Sequence, residues 1–256
     1  MKDMFSLAGR TALVTGGSRG IGKMIARGFL AFGAKVYISS RKAAVCDAAA
    51  EELSAEGGTC ISIPMDISDL AGTKRLADEI IKREERLDIL VNNAGAAWMA
   101  PFTEFPESGW DKVMNVNVKS PFFLTQALYP ALKAAGSKDQ PAKVINIASI
   151  DGWSVNMQET YSYAASKAGL IHLTKRMAIR LIEDNIAVTA IAPGPFASDM
   201  NTAARDHADA VAARTPAGRI GRDEDMAGAA VYLASMAGDF VIGSTLIVDG
   251  GINWVR

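Results

Sequence analysis

The chain has 256 residues, of which 49% are hydrophobic and 21% charged, and its net charge is −1. That composition fits one α/β domain with a sizeable core and excludes a disordered chain. The near-neutral balance argues against a nucleic-acid partner held by bulk electrostatics, and no apolar run reaches the ~18 residues of a membrane span. The opening MKDMFSLAGR is too short and too polar for a signal peptide. Two cysteines, Cys46 and Cys60, make no disulfide framework, and the reading is a protein of a reducing cytoplasm. His172 and His207 are far apart and lack cysteine partners, so no metal site is expected.

In chain order, an apolar run at 11–15 leads into glycines 16, 17, 20 and 22, then into a helical pattern over 19–32 carried by Ile21, Ile25, Phe29 and Leu30. A strand feeding a glycine-rich turn and a helix is a nucleotide-binding layout. Glycine lets the backbone approach phosphate, and the helix start supplies N–H donors. Lys23 is followed by Met24 rather than Ser or Thr, which excludes a Walker-type phosphate loop. The alternative is a glycine-rich turn without a ligand.

Further β-rich runs fall at 35–39, 60–63, 88–91, 143–148, 186–191 and 245–248. Helical stretches are predicted at 43–56, 69–86, 108–135, 160–183 and 223–236. This alternation predicts a doubly wound, seven-stranded parallel sheet with helices on both faces, and one domain over 1–256. Residues 133–143 read as a polar turn rather than a boundary. Ligands in such sheets bind beyond the carboxyl ends of the strands. There lie the glycine turn, Asn92 to Gly95, Ser149, and Pro193-Gly194.

Tyr163 and Lys167 are four residues apart, and Ser149 lies 14 residues before Tyr163. Positions i and i+4 share a helix face, so an ammonium near the phenol would pull its pKa below the ordinary ~10. Adding a serine hydroxyl makes a set suited to proton transfer at an alcohol or ketone. On its own, Tyr-x-x-x-Lys is more often a surface helix pair. Tyr161, with Ala165 at its +4 position, has no cation at that spacing and reads as pocket wall or helix-start packing.

Taken together, Thr15 to Gly22 (TGGSRGIG), Asn92-Asn93-Ala94-Gly95, Asn117, Ser149, Tyr163-x-x-x-Lys167 and Pro193-Gly194 followed by Ser198 resemble the short-chain dehydrogenase/reductase family over almost the whole chain. FSLAGR, RLDILVNNAG, GWDKVM and the 14-residue Ser149–Tyr163 gap are most similar to NADPH-dependent 3-oxoacyl reductases of the type associated with rhamnolipid synthesis. The resemblance implies a Rossmann fold, with Tyr163 as general acid in reduction. Lys167 would lower the Tyr163 pKa and bind the nicotinamide ribose, and Ser149 would hold the carbonyl oxygen. Asn117 would support a proton-relay water, its alternative reading being a helix amide bonded to backbone. Gly16, Ser18, Arg19, Gly20, Ile21 and Gly22 would cradle the cofactor. Asp66 and Ile67 would meet the adenine, Asn93, Ala94 and Gly95 its ribose, and Pro193, Gly194, Phe196 and Ser198 the nicotinamide end.

Cofactor choice also has a local argument. The second strand ends in Ser40-Arg41-Lys42, and the first acid downstream is Asp47. A carboxylate at that strand end would bond a ribose 2′-hydroxyl; cations there, with Arg19, suit a 2′-phosphate and so NADPH. Solvated surface charge is the alternative. Trp98, Met99, Trp153, Met157, Phe196 and Met200 suit an apolar or acyl carbonyl substrate, or else core and oligomer contacts. Residues 199–216 have few large apolar groups and read as a mobile flap. The helices around 108–135 and 160–183 resemble those that pair subunits in this family, which implies a homotetramer or homodimer; the C-terminal VDGGINWVR is a further candidate contact. A sugar acid, polyol or cyclic ketone as substrate, and a nucleotide-binding regulator without turnover, remain as alternatives.

Overall fold

A computed structural model describes residues 3–255. Met1, Lys2 and Arg256, parts of the terminal stretches read above, lie outside the described residues. Seven strands form one sheet: β1 (Thr11–Thr15), β2 (Lys35–Ser39), β3 (Thr59–Ser62), β4 (Ile89–Asn92), β5 (Ala142–Ile147), β6 (Ile186–Pro193) and β7 (Thr245–Val248). All pairs are parallel and the order is β3-β2-β1-β4-β5-β6-β7. Every residue of β1, β4, β5 and β6 is buried. That is why these strands read as mostly apolar runs rather than as alternating patterns.

The helices are α1 (Gly20–Ala31), α2 (Ala43–Ala55), α3 (Leu70–Arg83), α4 (Glu107–Met114), α5 (Ser120–Ala135), α6 (Tyr161–Leu181), α7 (Thr202–Asp206), α8 (Ala208–Ala212) and α9 (Asp223–Ala234). One core packs α1, α2 and α9 against the sheet through Ile25, Phe29, Leu53 and Met226. The other packs α3, α5 and α6 on the opposite face through Leu76, Ile80, Leu124, Leu128 and Met177. No helix of the described residues is long and apolar enough to cross a membrane.

One prediction needs correction. The helical stretch over 108–135 is not one helix: a π-helical turn over Asn115–Lys119 separates α4 from α5. Pro121 has no N–H, so the α-helical donor to the Asn117 carbonyl is missing and the regular ladder cannot run through. The stretch 199–216, read as a mobile flap, contains the short helices α7 and α8, with Ala204, Val211 and Thr215 buried.

The sheet order turns direction between β1 and β4. A crevice opens there beyond the carboxyl ends of the strands.

Candidate active site

The crevice floor is the turn from β1 to α1. Gly16 has φ +65°, a conformation open to glycine, and its N–H donates to the Ser39 carbonyl at 2.7 Å. A Cβ on Gly22 would stand 2.3 Å from the Gly16 carbonyl oxygen, so the first turn of α1 is packed on backbone where no side chain fits. Thr15 organises this floor. Its buried hydroxyl accepts the N–H groups of Asn93 and Ala94, each at 3.0 Å, and donates to the Val91 carbonyl at 3.2 Å. The Asn93 amide donates to the Thr15 and Gly16 carbonyls at 2.8 and 3.2 Å. Its side chain, expected at the ribose, is therefore spent on shaping the glycine turn. Ala94 and Gly95 keep their place along the crevice.

At the outer end of the crevice, β2 runs into Ser40, Arg41 and Lys42. Arg41 and Lys42 are exposed, and the buried Ser40 hydroxyl has no oxygen or nitrogen partner. Ser18 is buried in the turn, while Arg19 is exposed and forms an ion pair with Asp199. Asp66 is exposed and accepts the Ser68 N–H at 3.0 Å, with Ile67 buried beside it. The glycine cradle and the exposed cations Arg41 and Lys42 fit a dinucleotide that carries an extra phosphate.

On the other side of the crevice, Ser149 follows β5 and Tyr163 lies in the first turn of α6. The Ser149 hydroxyl hydrogen-bonds the Tyr163 phenol and accepts the Asp151 N–H at 3.1 Å. Lys167 is buried. Its Nζ sits 5.5 Å from the Tyr163 ring centroid and donates to the Ile147 carbonyl at 2.7 Å. The three residues do converge, but the expected acidification of the phenol is not what the geometry favours. Burial pushes the Tyr163 phenol up to about 12, against the Ser149 hydrogen bond and although the ring keeps a partly exposed edge. The same burial pulls Lys167 down to about 8. Desolvation is the leading cause for both groups, and the lysine head is turned to a backbone carbonyl.

Asn117 sits in the π-helical turn. Its amide accepts the Ala96 N–H at 2.8 Å and donates to the Ala96 carbonyl and Ser166 hydroxyl, both at 2.9 Å. The side chain thus braces the loop after β4 against α6. What it leaves for a relay is its backbone carbonyl, which lacks an α-helical donor. Ser166 was not singled out in the sequence, although its place beside Lys167 was a signal.

At the far wall, Gly194 follows β6 with its N–H on the Val248 carbonyl. Phe196, expected at the nicotinamide end, turns its ring inward, so only its backbone is left to face the crevice. Its ring is 2% exposed, belongs to the core, and lies against Gly221 on the border of a hollow of about 260 Å³ that also meets Arg219 and Asp249. An aromatic side chain seats itself in the core rather than at a polar cleft. Ser198 lies against Gly20, and its hydroxyl accepts the Asn201 N–H at 3.1 Å. Met200 reaches Gly95 across the crevice, its Cε 3.6 Å from where a Cβ there would stand. Trp98 packs on Gly109 of α4 and carries Lys112 over its ring. Tyr161 packs edge-on against Phe102 and Phe105 and donates to Glu159. Met99, Trp153, Val155 and Met157 stay exposed.

Beneath the site runs a buried amide ladder that sequence reading missed. Asn92 donates to Asn146 at 2.9 Å, and Asn146 donates to Thr174 of α6 at 2.9 Å. Asn92, just past the predicted strand 88–91, and Asn146, inside 143–148, were the available clue, since a buried amide demands partners.

A family profile described as Enoyl-(Acyl carrier protein) reductase matches residues 16–253. The rhamnolipids biosynthesis 3-oxoacyl-[acyl-carrier-protein] reductase of Pseudomonas aeruginosa is 46% identical over 256 residues, covering 99% of this chain and 100% of the relative. The 5-keto-D-gluconate 5-reductase of Escherichia coli is 38% identical over 257 residues, covering 98% of each. Among solved structures, the Pseudomonas aeruginosa RhlG/NADP active-site complex superposes with a TM-score of 0.94 at 46% identity, over 99% of this chain and 100% of that one. With Ser149, Tyr163 and Lys167 converging beside a glycine cradle, the chain belongs to the short-chain dehydrogenase/reductase family of oxidoreductases.

Proposed function

We propose that the protein is an NADPH-dependent carbonyl reductase that converts a 3-oxoacyl thioester to its 3-hydroxyacyl form. The observation that carries the reading is the Ser149–Tyr163–Lys167 convergence at the mouth of the nucleotide crevice. Bound nicotinamide supplies the hydride. Ser149 donates a hydrogen bond to the substrate oxygen, and Tyr163 delivers the proton that turns the developing alkoxide into an alcohol. A phenol held neutral by burial carries the proton that reduction requires. The buried Lys167 ammonium contributes positive charge close by and is within the same α6 face as Tyr163.

Arg19, Ser40, Arg41 and Lys42 are assigned to the 2′-phosphate, the glycine turn and Gly95 to the dinucleotide backbone, Asp66 and Ile67 to the adenine, and Ser198 to the carboxamide. The acyl substrate is supported by the 46% identical relative and by an exposed apolar rim of Met99, Trp153, Val155 and Met157. A place in lipid metabolism follows from that substrate. Assembly through α5 and α6 is supported by exposed Phe122 and Ile179 on those helices. Two free buried thiols suit a reducing cytoplasm.

A second reading, reduction of a 5-keto sugar acid, is supported by the 38% identical relative. The experiment is NADPH oxidation with 3-oxoacyl thioesters of several chain lengths and with 5-ketogluconate, comparing Tyr163→Phe. Thioester turnover that drops at least ~10²-fold in the variant is the expected outcome. Turnover of the sugar acid alone would move the assignment to the second reading. No turnover of any ketone alongside NADPH binding would favour a non-catalytic regulator.

A further inference from the structure

We propose that Asp199 is a cofactor-specificity residue, which competes with the 2′-phosphate of NADPH for Arg19 and so weakens the preference for NADPH over NADH. The inference rests on the reading of Arg19 as a 2′-phosphate ligand. Three cations are assigned to that phosphate. Arg41 and Lys42 hold no ion pair among the described residues. Arg19 differs, because its guanidinium is already paired with the Asp199 carboxylate, 180 residues away in the chain.

The pairing is built into the backbone. Ser198, the residue before Asp199, lies against the glycine turn so closely that a Cβ on Gly20 would stand 3.2 Å from its own Cβ. The root of the 199–216 segment is therefore seated on the turn that carries Arg19. The second Asp199 oxygen accepts Arg205 Nη1 at 2.8 Å, and Arg205 is in turn bound to Asp206 through Nε at 2.7 Å and Nη2 at 3.0 Å. Arg205 is thus largely satisfied by Asp206, and Asp199 is left with charge to spend on Arg19. An arginine fork in contact with one carboxylate must release or share it to grip a phosphate bidentately. NADH makes no such demand. Asp199 accordingly subtracts from NADPH affinity alone, and NADPH binding loosens the contact that ties the 199–216 segment to the glycine turn.

The test is equilibrium binding of NADPH and of NADH to the full chain at low ionic strength, read by nucleotide fluorescence. Wild type, Asp199→Asn, Asp199→Glu, Arg19→Gln and the Arg19→Gln/Asp199→Asn double variant are compared. Both side chains are more than half exposed or nearly so, at 62% and 50%, so the effect is that of a surface ion pair. Asp199→Asn tightens NADPH about threefold with NADH unchanged, and Asp199→Glu keeps the wild-type ratio. Arg19→Gln weakens NADPH several-fold, and adding Asp199→Asn to it changes nothing further. If Arg19→Gln weakens NADPH but Asp199→Asn shifts both nucleotides alike, or neither, the competition is overturned while the phosphate role of Arg19 stands. If Arg19→Gln leaves the NADPH/NADH ratio unchanged, both the phosphate role and the proposal fail.

Discussion

Thr15 offers the sharpest test of how the crevice floor is held. Thr15→Val keeps the volume and the β-branched shape of a residue that is 1% exposed, so packing in β1 is conserved. What it removes is one hydroxyl with three hydrogen bonds, two of them from the backbone N–H groups of Asn93 and Ala94. An unsatisfied buried donor costs about 1–3 kcal/mol. Both residues are only partly buried, so the lower part of that range applies to each. The expected loss is about 2–3 kcal/mol, or a fall in Tm of roughly 4–12 °C for a chain of this size. Thr15→Ser restores the hydroxyl and should recover most of it, at a cost of about 1 kcal/mol for the methyl. Urea titration followed by circular dichroism measures both variants. A Thr15→Val protein within 0.5 kcal/mol of wild type, or a Thr15→Ser protein as unstable as Thr15→Val, would refute the argument.

Other outcomes follow from the same geometry. Gly22→Ala drives a methyl to 2.3 Å from the Gly16 carbonyl, so the glycine turn must shift; calorimetry should show NADPH binding weakened at least ~10-fold along with a lower Tm. Below the sheet, Lys143 is 2% exposed and meets Asp239 at 2.7 Å, with Arg10 close by. Asp239→Ala should cost about 2–3 kcal/mol in urea denaturation because it strands a buried cation, whereas Lys143→Met/Asp239→Ala should return near wild type. Burial lowers Lys167 to about 8, so its ammonium is present below that pH and lost above it. The rate of carbonyl reduction should fall as pH climbs through about 8, while Tyr163 stays protonated throughout; a rate flat to pH 10 contradicts this.

Much of the architecture was legible along the chain. Strands β1, β4, β5 and β6 are buried on both faces, so each announces itself as a mostly apolar run without strict alternation, and the starts and ends of all seven strands fall within two residues of expectation. Tyr161 was separable from Tyr163 by a single position, because the i+4 rule is local and needs no fold. The inward turn of the Phe196 ring was not legible, for the opposite reason. Its place near the Pro193-Gly194 turn is local, but which way the ring points is decided by the space beside Gly221.

The sequence by itself determined the alternating helices and strands, the glycine turn, the proximity of Tyr163 to Lys167, and the absence of a carboxylate after β2. Each depends on backbone geometry over a few residues. Only the tertiary structure decided that Asn93 and Asn117 brace loops, that Lys167 turns to the Ile147 carbonyl, and that Arg19 is engaged by Asp199. Those partners stand between 20 and 180 residues apart in the chain. A polar atom chooses among all donors and acceptors that folding brings within about 3 Å, and no local spacing carries that choice.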